Sequence, residues 1–134
     1  MINNNMYKRL LSFILLATIA LFAGMASARY IPYKGPSETK KVTEVHSAQA
    51  LKHAKVAVIH GDAGHGRALT EHAEVALEHA RAAEKVLNGE SRAHMTEGVA
   101  HLNEAIKHSK KNHADIATEH VNEAIVHINA SIGG

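Results

Sequence analysis

All twelve histidines of the chain fall on one pattern. His46, His53 and His60 stand seven apart, then His65, His72 and His79 after a step of five. The same spacing returns at His94, His101, His108 and at His113, His120, His127. A neutral imidazole offers one lone-pair nitrogen, which takes a proton near pH 6.5 or binds a transition-metal ion. There is no Cys, and Met95 is the one methionine after residue 28, so a thiolate or Met-rich site for Cu(I) is unavailable. Imidazole sets suit Cu(II), Ni(II) and Zn(II), and Cu(II) binds most tightly at equal geometry.

One helix cannot make a chelate from this spacing. Residues seven apart are separated by about 10.5 Å along a helix, whereas metal–nitrogen bonds are about 2.0–2.1 Å. A second, antiparallel helix is needed. Folding residues 46–79 about a turn near residue 62 sets His60 against His65, His53 against His72 and His46 against His79. The second stretch sets His108 against His113, His101 against His120 and His94 against His127. The five-residue step makes the two ladders mirror images, giving six cross-helix pairs.

Carboxylates join some of them. Glu97, Glu104 and Glu123 each lie three residues after one His and four before the next, so they share a helix face with His94/His101, His101/His108 and His120/His127. These three are further candidate ligands. Gln49 and Val56 occupy the equivalent places in the first helix.

Nothing comparable supports catalysis. H-E-x-x-H is absent, and the acids sit as E-x-x-x-H rather than the E-x-x-H of di-iron bundles. No Cys nucleophile exists, and no Ser has a nucleophile signature around it. The expectation is a binding protein and not an enzyme.

The elements that must position the ladders are legible too. After Thr43 the chain is rich in Ala, Leu, Glu, Lys and Val and free of proline. Counting from each His, the fourth residue on is mostly Ala (Ala50, Ala57, Ala76, Ala105, Ala117, Ala124) and the fifth is usually large and aliphatic (Leu51, Val58, Leu77, Val99, Ile106, Ile125). At about 100° per residue this puts the core to one side of the His, with small alanines between. Gly61–Gly64, Asn88-Gly89 with Ser91 as N-cap, and Ser109–Asn112 interrupt the pattern. Helices are predicted over roughly 40–60, 64–87, 91–109 and 112–131. Loops this short make successive helices antiparallel neighbours. The fold expected is all-α, an up-down four-helix bundle. It is built from two duplicated hairpins, about 42–87 and 91–131, related by an offset of 48 within the domain 42–134.

The N-terminus has another character. Residues 1–28 hold Lys8 and Arg9, an apolar run from Leu10 to Phe22, and an A-x-A site at Ala26–Ala28. This predicts a signal peptide cleaved after Ala28, and hence export to the periplasm with no membrane attachment afterwards. Residues 29–41 contain both prolines and predict a flexible tail. Without Lys8 and Arg9 the remaining chain has 13 basic and 13 acidic residues, which argues against a nucleic-acid partner. With no Cys there is no disulfide, so packing must hold a monomeric bundle together.

The stretches HAKVAVIHGDAGHGRALTEHAEVALEHARAAEK and GVAHLNEAIKHSKKNHADIATEHVNEAIVHINAS resemble the small metal-binding protein family of the bacterial periplasm. The resemblance covers about residues 46–131 and rests on the His-Ala heptads and the HxxxxH turns. It implies an exported four-helix bundle that binds several divalent ions, copper above all, for scavenging or tolerance. Family heptads tend to carry acids after His-Ala. Here Lys55 and Val56 follow His53-Ala54, and Gly66-Arg67 follow His65.

The leading expectation is therefore reversible binding of several divalent ions, chiefly Cu(II) and less tightly Ni(II) or Zn(II). Two other readings compete with it. One is a structural bundle that opens when facing imidazoles are protonated. The other is bis-His haem ligation, disfavoured by the lack of C-x-x-C-H and of bulky aromatics.

Overall fold

A computed structural model describes residues 36–133 as four α-helices, with no strand among them. They are α1 (Pro36–Asp62), α2 (Gly66–Glu84), α3 (Gly89–Ser109) and α4 (Ala114–Gly133). Each packs antiparallel on its chain neighbour. The bundle closes by α1 meeting α4, and α2 and α4 touch only slightly across the diagonal. This is the up-down bundle of two hairpins that the apolar pattern requires. The expected signal segment 1–28 with its predicted cleavage site, and residues 29–35 of the expected tail, lie outside the described residues.

All boundaries but the end of α3 shift by two to four residues from the sequence expectation, and three of the shifts have a local cause. First, α1 begins at Pro36, so residues 36–41 are helical rather than tail. Proline suits the first helical position, where its fixed φ helps and its missing N–H has no partner to lose. Glu38 adds a favourable charge to that first turn. Second, α2 ends at Glu84; Val86 and Leu87 turn back through hydrogen bonds to the Ala83 carbonyl, and Leu87 packs half-buried onto the core. Third, Ser91 is not the N-cap of α3. Extended Asn88 precedes Gly89, whose φ of +54° turns the chain into the helix two residues earlier.

The hairpin turns explain the five-residue His step. In the first, the His65 N–H donates to the His60 carbonyl at 2.8 Å and Gly64 N–H to Gly61 at 2.9 Å. Gly64 sits at φ +71°. In the second, His113 donates to His108 at 3.0 Å and Asn112 to Ser109 at 2.9 Å, with Asn112 at φ 61°. This is a Schellman motif, in which a six-to-one bond and a five-to-two bond close around a left-handed residue. Its six-to-one bond joins residues five apart, and here both are histidines. The carbonyls of His65 and His113 then accept the first bonds of the next helices, from Leu69 and Ala117 at 3.0 Å. One residue ends one helix and starts the next, so the ladder crosses the turn without slipping register.

The core is small and alanine-rich. Ala50, Ala54, Ala57, Ala73, Ala76, Ala80, Ala83, Ala105, Ala117 and Ala124 are fully buried, filled in by Leu69, Met95, Leu102, Val121 and Ile128. Gly98 lies so close to Ile128 that a Cβ there would meet its Cγ1 at 2.9 Å. Small residues at the seams let helices pack closely, and that brings the flanking histidines of facing helices within reach of one another. Between hairpins, Ser109 Oγ donates to the Gly66 carbonyl at 2.7 Å, tying the end of α3 to the start of α2.

Candidate metal centre

All six facing pairs are present. His46 and His79 bring Nδ1 to Nδ1 at 3.0 Å, His53 and His72 at 3.3 Å, and His101 and His120 at 3.4 Å. His60/His65, His94/His127 and His108/His113 face ring to ring with centroids 5.8–6.0 Å apart. Ten of the twelve rings are half-buried; His65 and His113, at the turns, are exposed. No ring contact runs from one hairpin to the other among the described residues.

The structure adds a relation that sequence pairing missed. His53 also stacks on His79, and His60 on His72, with centroids at 6.1 and 5.3 Å. His101 stacks on His127 and His108 on His120, both at 5.4 Å. Each hairpin therefore carries a continuous zigzag of six imidazoles. The first runs 46–79–53–72–60–65 and the second 94–127–101–120–108–113. A mirror fold about the turn pairs equal heights only; the diagonal contacts arise because helical side chains lean toward the N-terminus, in opposite directions on antiparallel helices.

The three carboxylates part company. Glu123 Oε2 stands 2.9 Å from His101 Nδ1 and 3.1 Å from His120 Nδ1. It thus bridges the two rings of one pair, reaching across to α3, where the sequence placed it between His120 and His127 on its own helix. These three donors form the one cluster of three or more metal-binding side chains among the described residues. Glu104 instead accepts a hydrogen bond from Lys107 at 2.6 Å. That ammonium holds its carboxyl below the usual carboxylate range. Glu97 is exposed and pairs with no histidine. An acid outside the sequence candidates, Glu90, approaches His94 Nε2 at 3.8 Å; the i, i+4 spacing was the signal for it.

The geometry suits an ion. Two nitrogens bonded to one metal at about 2.0–2.1 Å stand roughly 2.9 Å apart at a right angle and roughly 3.3 Å apart at the tetrahedral angle. The three Nδ1 separations lie in or next to that range. For His101, His120 and Glu123, a circle through the three donors has a radius of roughly 1.8 Å. An ion slightly above their plane would touch all three at ordinary bond lengths. Without an ion, only one neutral ring of a pair can donate its Nδ1 hydrogen to the other. His108 Nδ1 is buried with no hydrogen-bond partner, leaving that nitrogen unsatisfied. His53 is held below the ordinary imidazole pKa by burial first, then by His72, His79 and Lys52. It therefore keeps a lone pair free to lower pH.

The family model described as small metal-binding protein matches residues 10–131. No curated protein matches the chain. No helix among the described residues is long and apolar enough to cross a membrane.

Proposed function

The chain belongs to the small metal-binding protein family, and on that premise we propose that it is an exported buffer for divalent transition-metal ions. It takes up several ions reversibly, chiefly Cu(II) and less tightly Ni(II) or Zn(II), for scavenging, storage or tolerance. The cross-helix pairs are the binding units, and the bundle acts as a periplasmic monomer after cleavage behind Ala28. It turns over no substrate. The observation that carries this reading is the set of facing Nδ1 atoms 3.0–3.4 Å apart. Cu(II) stands first because imidazole donors follow the Irving–Williams order. Half-buried sites with open coordination positions favour exchange over permanent capture. The signal-like segment supports export.

Calorimetric titration of the metal-free exported chain with Cu(II) tests the proposal. Several equivalents are expected at pH 7.5 and few at pH 5.5, because protons compete for the same nitrogens. Replacing His53 and His72 together lowers the capacity. An unchanged capacity in that variant rejects the paired-histidine sites. One or no equivalent at both pH values rejects the buffer and brings forward the acid-opened bundle. That alternative predicts loss of helix between pH 7 and pH 5 in the metal-free chain by circular dichroism.

A further inference from the structure

The two hairpins are copies in fold but not in ligand chemistry. Shifting by the repeat offset of 48 maps Glu123 to Val75, Glu104 to Val56, Glu97 to Gln49 and Glu90 to Val42. Each of these four acids thus has an uncharged counterpart beside the α1/α2 ladder, whereas Glu119 keeps its acid as Glu71. The ion pairs agree. His94, His101 and His120 each have a carboxylate within 4.0 Å, and among the described residues no histidine of α1 or α2 has one. Near His53 the charged neighbour is Lys52, which carries the opposite sign.

We infer that the ladders fill in order: His101, His120 and Glu123 form the primary site for a divalent ion, and the imidazole-only α1/α2 ladder loads afterwards. This rests on the metal-buffer reading and assigns the first ion within it. Two physical terms favour the primary site. A third donor replaces a water ligand without new chelate strain, since the three atoms already stand at coordination spacing. The carboxylate also cancels one of the ion's two charges, whereas Lys52 adds repulsion near the His53 pair. Glu123 is half exposed, so it gives up little hydration to serve as a ligand. Its neighbours on the zigzag, His127 and His108, then offer the next positions for overflow.

Zn(II), a diamagnetic probe, tests the order by NMR on the exported chain. Up to one equivalent, shifts are expected at His101 and His120 while His53 and His72 stay unchanged. Glu123→Gln keeps an exposed polar side chain of the same shape. It should spread the early shifts over both ladders and weaken the first equivalent by at least the roughly tenfold that losing an outer-shell partner costs. Val75→Glu should create a second early site at His53 and His72, and Glu104→Gln should leave the first equivalent alone. Several equivalents bound with no preference for either ladder, or with Glu123→Gln indifferent, overturn the filling order and leave the buffer standing. A first equivalent weakened equally by Glu104→Gln overturns ligation by Glu123 in favour of diffuse charge. Failure to bind Zn(II) or Cu(II) at all overturns both readings.

Discussion

At His53 burial and neighbouring groups act together on one imidazole. Burial and two facing rings push its pKa down, and Lys52 adds to the effect. The unfolded chain, with an ordinary imidazole, then binds more protons than the folded chain once pH falls below about 6.5. Stability from this group is thus intact above that pH. It is lost as pH drops toward the folded pKa, and constant below it. Side-chain NMR titration of the metal-free chain should show His53 protonating below the ordinary histidine range. Lys52→Glu should move it upward; a His53 that ignores this change would exclude Lys52 as a contributor.

At the scale of the element, the two turns decide whether a ladder is continuous. The six-to-one bond of each turn ties His60 to His65 and His108 to His113, and it needs a left-handed residue between them. Gly64 adopts that conformation freely, whereas Asn112 is a tolerated non-glycine. Gly64→Val is expected to cost about 1–2 kcal/mol and to separate His60 from His65, readable as a lower melting temperature and a smaller Cu(II) capacity. Asn112→Gly should be neutral or stabilising and leave capacity intact. If both variants melt like the parent, the turns do not impose the register.

The whole molecule couples packing to binding. An Ala-lined bundle with few large core residues has little surplus stability, and Leu102, fully buried, is one of the largest it has. Leu102→Ala should cost about 2–5 kcal/mol, measured by urea unfolding of the metal-free chain. Ions that bind the folded bundle offset such losses. Free ion at a hundred times Kd adds about 2.7 kcal/mol for each site. Cu(II) should therefore raise the melting temperature of both parent and Leu102→Ala, and a chelator should reverse the rise. A melting temperature unmoved by bound Cu(II) would mean that the unfolded chain holds the ion equally well.

The amino-acid sequence by itself determined the fold and the six pairings. Heptad spacing fixes the face of a helix, and a five-residue step across a short turn fixes which residues of two helices meet. These are properties of local geometry, so His46 and His79 could be matched across 33 positions without any structure. Local signals failed where context chose. Pro36 read as a tail breaker but opens a helix, and Ser91 lost the N-cap to an extended Asn88 before Gly89. Only the tertiary structure decided the zigzag and the fate of the carboxylates. Glu97, Glu104 and Glu123 look alike by spacing. Glu104 is captured by Lys107 one turn on, Glu97 points to solvent, and Glu123 reaches a ring of the opposite helix. Spacing along one helix says which side chains share a face. Which of them spans the gap to another helix depends on the distance and lean of the packed partner, and those exist only once the bundle has closed.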